Sequence, residues 1–129
     1  MKIISVLYTN FQNDSRVQKM AASLKKHGHE IEIVAMFDGD VKEKEILEGI
    51  PVTRIRTRQK GKSKLSKTFR FLSFSFKAAR KYRKADAWHC NDIEGFMVGM
   101  LAKTMRPKLQ LVYDAHELES QRNNIKKWV

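Results

Sequence analysis

One cysteine, no low-complexity tract, no internal repeat and no apolar run near the roughly 20 residues of a membrane-spanning helix mark this 129-residue chain. The lone Cys90 excludes an internal disulfide framework and, with no second cysteine nearby, makes a poor metal ligand; it reads as small, mostly buried and inert. The first residues lead straight into the strand pattern Ile3-Ile4-Ser5-Val6-Leu7-Tyr8 rather than into a signal peptide, so a soluble, cytoplasmic protein is expected. The loop after that strand lacks the G-x-G-x-x-G spacing, which disfavours a nicotinamide dehydrogenase. Between residues 54 and 84 there is not one acid, although half of the chain's 26 lysines and arginines fall there. Within a net charge of +12, such a block implies an anionic partner: lipid headgroups, nucleic acid or a phosphorylated ligand.

What is present is a regular alternation. A nearly continuous apolar run at residues 3–8 suits a strand covered on both faces, and residues 30–36 read as the second strand. Between them, Asp14 and Ser15 are N-cap types, and Val17, Met20, Ala21 and Leu24 form a helical stripe over residues 15–27 that stops at Gly28. A charged stretch, residues 41–49, leads to residues 50–57, whose alternating apolar and basic residues, with Pro51 at the start, suit a strand at the sheet edge. Residues 65–84 contain no Pro or Gly and read as one long helix; 85–89 is a short strand, 93–105 a helix capped by Asp92, and 109–113 a fifth strand, with residues 117–129 able to open another helix. Strands and helices in this order predict an α/β, Rossmann-like, doubly wound parallel sheet of order 3-2-1-4-5, one domain over residues 1–129. The switch point then lies between the first and fourth strands, where open α/β sheets bind ligands.

Three polar clusters follow strands and share that rim. In the first, Asn10 and Asn13 offer donors and acceptors, and Asp14 is explained by capping. Arg16 is not, because a cation in the first turn opposes the helix dipole; an anionic ligand or carboxylate there resolves the mismatch. In the second, His89 ends a strand beside Asn91, where a packed histidine is an equal reading, and Asp92 reads first as the cap of the next helix. In the third, Asp114, His116 and Glu117 put three titratable groups in four residues. No fixed ligand spacing is present, so no metal is expected.

On the helix at 65–84, Leu65, Phe69, Leu72, Phe76 and Ala79 fall on one face, expected to pack on the sheet. Phe71, Phe74, Ala78 and Tyr82 form a second apolar strip, with Arg70, Lys77, Lys81 and Lys84 as a basic stripe between. One apolar face is core; the other needs a second protein surface, a missing domain, or an anionic membrane meeting Phe74 and the stripe. Aromatics among cations also suit stacked nucleic acid, but no nucleic-acid motif accompanies them, so that non-enzymatic anion-binding role is the alternative.

The run from Asn13 to Ala21 with Leu24 and Gly28-His29-Glu30-Ile31, the segment Ala85-Asp86-Ala87-Trp88-His89-Cys90-Asn91-Asp92, and Leu111-Val112-Tyr113-Asp114-Ala115-His116-Glu117-Leu118 together resemble glycosyltransferase family 4. The resemblance implies the N-terminal, acceptor-side domain of a GT-B glycosyltransferase that transfers sugar from a nucleotide-sugar donor with retention and without a metal. It implies that His116 reaches the donor sugar or its phosphate, while Asn10, Asn13, Asp14, Arg16, His89, Asn91, Asp92, Asp114 and Glu117 line the cleft. Many relatives use a basic surface to sit on membranes holding a lipid-linked acceptor, so a glycan or lipid-linked acceptor and a peripheral membrane position are expected. The glycine pair that many relatives carry in the first loop is absent, as is the donor-binding half with its paired glutamates. A partial domain, inactive by itself, is therefore expected.

Overall fold

The computed structural model describes residues 1–11, 15–57 and 64–113. In chain order the elements are β1 (Lys2–Val6), α1 (Ser15–Lys26), β2 (Glu30–Met36), β3 (Lys44–Leu47), β4 (Ile50–Ile55), α2 (Lys64–Lys81), β5 (Ala87–Cys90), α3 (Ile93–Met105) and β6 (Gln110–Tyr113). They form one sheet of order β3-β4-β2-β1-β5-β6. The five parallel strands follow the predicted order, β1 lying between β2 and β5.

The sixth strand corrects the expected edge. Residues 44–47, read as a charged connector, pair antiparallel outside β4, with Leu47 opposite Ile50. Glu48 (φ 50°) and Gly49 (φ 80°) make the two-residue hairpin turn, and both conformations are those a type I′ turn requires. Lys25 Nζ donates to the Gly49 carbonyl at 2.8 Å, tying the turn to α1. With β4 covered, Arg54 is not a solvent-facing edge residue but 3% exposed.

Alternate β1 residues face opposite layers, as strand periodicity requires. Ile3 and Leu7 join Val17 and Ala21 of α1, whereas Ile4 and Val6 join Phe74 and Ala78 of α2 and Val98 and Ala102 of α3. The face of α2 that packs on the sheet is the reverse of the predicted one. Phe74 is 0% exposed, with Ala78 and Tyr82 buried beside it, while Leu65 (67%) and Phe76 (61%) face outward. Shape and polarity decide this. Ala78 lets the helix approach closely, Phe71 and Phe74 meet the Tyr8 ring edge-on at 5.3 and 5.2 Å, and the Tyr82 hydroxyl donates to Glu32, which also accepts from Thr53 at 3.0 Å. The Leu65 strip offers no such polar anchor. Phe74 therefore belongs to the core and is no part of an anionic surface. Lys84, placed on the helix by the sequence reading, lies past its end at Lys81.

Candidate functional site

The switch point of the sheet lies between β1 and β5, where the loop leaving β1 meets the turn from β5 into α3 and where open sheets of this kind form their ligand crevice. Asn91 spans both strands: its backbone N donates to the Val6 carbonyl at 3.0 Å, and its Nδ2 donates to Ser5 Oγ at 2.7 Å and to the Val6 carbonyl at 3.1 Å. Asp92 divides its carboxylate. Oδ1 accepts from the Gly95 backbone N at 2.5 Å as the N-cap of α3, and Oδ2 accepts from the Tyr8 backbone N at 3.2 Å. Gly95 permits this closeness, since a Cβ there would meet Asp92 Oδ1 at 2.6 Å and the Val6 carbonyl oxygen at 2.9 Å.

The loop after β1 is clamped from the far side. The Arg54 guanidinium donates to the carbonyls of Asn10 (2.7 Å), Phe11 (3.0 Å) and Lys42 (2.8 Å), and Nη2 lies 3.4 Å from Glu45. Asn10 Nδ2 donates to the Asp38 carbonyl at 3.1 Å, and Phe11 turns through a left-handed conformation, φ 52°. The loop is thus held from three places in the chain, by Arg54 of β4, the Asp38 carbonyl and Asp92. Arg54 entered the sequence reading as one cation of a basic block and of the expected edge strand; its alternation with Ile55 and Arg56 did not distinguish a solvated arginine from an enclosed one.

Arg16 stands exposed in the first turn of α1, a turn with no acidic residue. His89 is buried, 8% exposed, in register with Ser5 and Val112. Its side chain lies on the α1 side of the sheet, opposite to Trp88 and Cys90. Asn91 and Asp92 are thus joined to the exit of β1 at the rim, whereas the Asn10 side chain turns toward the exit of β2 at Asp38; Arg16 lies at the same end of the sheet, and His89 stands within it on β5. Asn13, Asp14, Asp114, His116 and Glu117 lie outside the described residues, but β6 delivers the chain to the same rim at Tyr113. Sequence reasoning passed over Tyr8 as a meeting point: burial raises its phenol above the ordinary 10.0, Arg70 lowers it and Glu94 raises it, so the rim joins groups from β1, α2 and α3. Behind it, burial and then the charge of Asp92 push the Cys90 thiol up to about 12.

Among the described residues no group of three His, Cys, Asp or Glu side chains could hold a metal ion. No helix among them is long and apolar enough to cross a membrane. The basic stripe borders a groove of about 470 Å³ between β4 and α2, where Arg54, Arg56, Lys77, Arg80 and Lys81 face a single carboxylate, Glu43. Lys77 Nζ donates to the Arg56 carbonyl at 2.8 Å, and Lys81 Nζ lies 5.8 Å from the centre of the Tyr82 ring.

An open, mostly parallel sheet wound on both sides, with β1 at its switch point, defines a Rossmann-like domain. The chain belongs to the glycosyl transferase 4-like domain family, whose model matches residues 14–129. The fold is similar to that of part of sucrose-phosphate synthase from Thermosynechococcus elongatus, with TM-score 0.65 and 14% identity over 87% of this chain and 32% of that one. A second structure of that enzyme superposes with TM-score 0.56 and 15% identity over 92% of this chain and 66% of the other. The chain thus spans about a third of the length of the first of these structures. No curated protein sequence matches it.

Proposed function

We propose that this domain is the acceptor-side half of a retaining, nucleotide-sugar-dependent glycosyltransferase, working without a metal against a donor-binding domain that closes the cleft. The observation that carries the reading is the family match together with a switch-point crevice whose loops are fixed by Asn91, Asp92 and Arg54. A crevice held this rigidly presents its polar groups in one arrangement, which favours positioning a hydroxyl nucleophile. In this reading His116 contacts the donor sugar or its phosphate. Asn10, Asn13, Asp14 and Arg16 line the first loop, Arg16 meeting anionic charge, and Asp114 and Glu117 complete the rim. His89, Asn91 and Asp92 shape the wall. The domain alone does not turn over. Joining it to a donor-binding half and assaying nucleotide-sugar consumption tests the reading: His116→Ala should abolish turnover, and an otherwise active enzyme that kept its rate after that change would remove His116 from its assigned role.

The acceptor in this reading is glycan or lipid-linked, and the domain sits peripherally on the cytoplasmic membrane face. Arg70, Lys77, Lys81 and Lys84, beside the outward strip of Leu65, Phe69, Leu72 and Phe76, support that position. Cations over an apolar strip suit an anionic lipid surface.

A further inference from the structure

A second concavity lies on the opposite side of the sheet ends. The C-terminal halves of α2 and α3 diverge over the amino ends of β5 and β6, leaving a cleft of about 670 Å³, within the range of about 300–1,000 Å³ typical of small-molecule sites. Its floor is apolar: Ala79, Trp88, Ala102 and Leu109 line it, all nearly or fully buried. Its rim is cationic, from Arg80, Arg83 and Lys84, and no carboxylate lines it. The rim is also built rather than loose. Arg106 crosses from the end of α3 and donates through Nη1 to the carbonyls of Arg83 and Ala85, fixing the turn that carries Arg83 and Lys84. The Trp88 indole nitrogen is buried and has no hydrogen-bond partner among the described residues. A buried donor without an acceptor is uncommon, and here it belongs to a residue that lines the cleft.

We propose that this cleft binds a single-chain anionic amphiphile, the hydrocarbon chain lying on the floor and a phosphate-type headgroup held by Arg80, Arg83 and Lys84. Charge complementarity selects the headgroup, since Arg80, Arg83 and Lys84 line the cleft and no carboxylate lines it. The floor selects the chain, because Ala79, Trp88, Ala102 and Leu109 offer it hydrocarbon and aromatic surface. The site opens at the amino ends of the strands, so its occupant stays clear of the switch-point crevice, and the proposal stands whether or not the domain transfers sugar.

Dodecyl phosphate, titrated below its micelle concentration into the full chain carrying Trp128→Phe, leaves Trp88 as the sole tryptophan reporter. The expected result is a saturable emission change that inorganic phosphate and neutral dodecyl maltoside reproduce at least 10-fold more weakly. The exposed-residue variants Arg83→Glu/Lys84→Glu and, separately, Met105→Glu at the mouth should each weaken it at least 10-fold while leaving the far-ultraviolet dichroism unchanged. Should one of them unfold, the other decides. No saturation with dodecyl phosphate, equal affinity for dodecyl maltoside, equal affinity for inorganic phosphate, or undiminished binding in the folded variants would each overturn the site.

Discussion

Asp92 holds two parts of the rim with one carboxylate, the start of α3 through Gly95 and the exit of β1 through Tyr8. Replacing it with alanine removes a cap and leaves the part-buried Tyr8 N–H without an acceptor, so Asp92→Ala should cost about 1–3 kcal/mol in urea denaturation. A loss of only a few tenths would mean that one of the two bonds does not persist in solution. Cys90 gives a second residue-scale test. With its thiol pushed up to about 12 from 9.0 by burial, and Tyr82 raised above 10.0 by burial and its bond to Glu32, the folded state holds protons that the unfolded chain releases. Both groups favour folding fully below about pH 9, and that contribution is lost as pH rises further, so the urea midpoint should fall between about pH 9 and pH 11. A flat profile over that range would contradict the burial of both groups. The Asp92 cap was legible in the sequence, because a cap announces itself beside an apolar helix. The second bond, to Tyr8, was not: it joins residues 84 positions apart that only the β1–β5 pairing brings together.

At the scale of elements, α2 shows what periodicity decides and what it leaves open. A 100° turn per residue separated the two apolar strips except for Ala79, which joins the buried side, but could not say which met the sheet, because both carry phenylalanines and both are interrupted by cations. Burial of Tyr82 needs an acceptor, and Glu32 on β2 supplies it. Phe74→Ala should therefore destabilise the chain by about 3–5 kcal/mol, whereas Phe76→Ala, on the outward strip, should stay within about 0.5 kcal/mol. Equal losses in thermal or urea unfolding would refute the orientation. The β3–β4 hairpin was missed for a related reason. Its outer strand is charged and half-exposed, so it lacks the apolar signal of the parallel strands, and the Glu48-Gly49 turn that joins it to β4 was the cue available.

For the whole molecule, the net charge of +12 concentrates along α2 and the strand before it. If the proposed membrane position holds, reversing Lys77, Lys81 and Lys84 to glutamate should remove at least about 3 kcal/mol of attraction to anionic vesicles, a loss of about 100-fold or more in sedimentation binding at moderate salt. Undiminished binding would rule out this stripe as the contact. The doubly wound architecture and the switch point between β1 and β5 were readable from strand and helix alternation alone. The internal bracing of the crevice was not, because Asn91, Arg54 and Tyr8 act through partners distant in sequence.

The Arg54 clamp has a practical corollary. One guanidinium grips carbonyls from residues 10 and 11 beside the crevice and from residue 42 just before β3, so these two stretches are mechanically a single body. Whatever settles the crevice loop also settles the approach to the hairpin. Amide exchange or a spin label at residues 42–45 would then register occupancy of the crevice from a distance, leaving every group that touches the ligand unaltered.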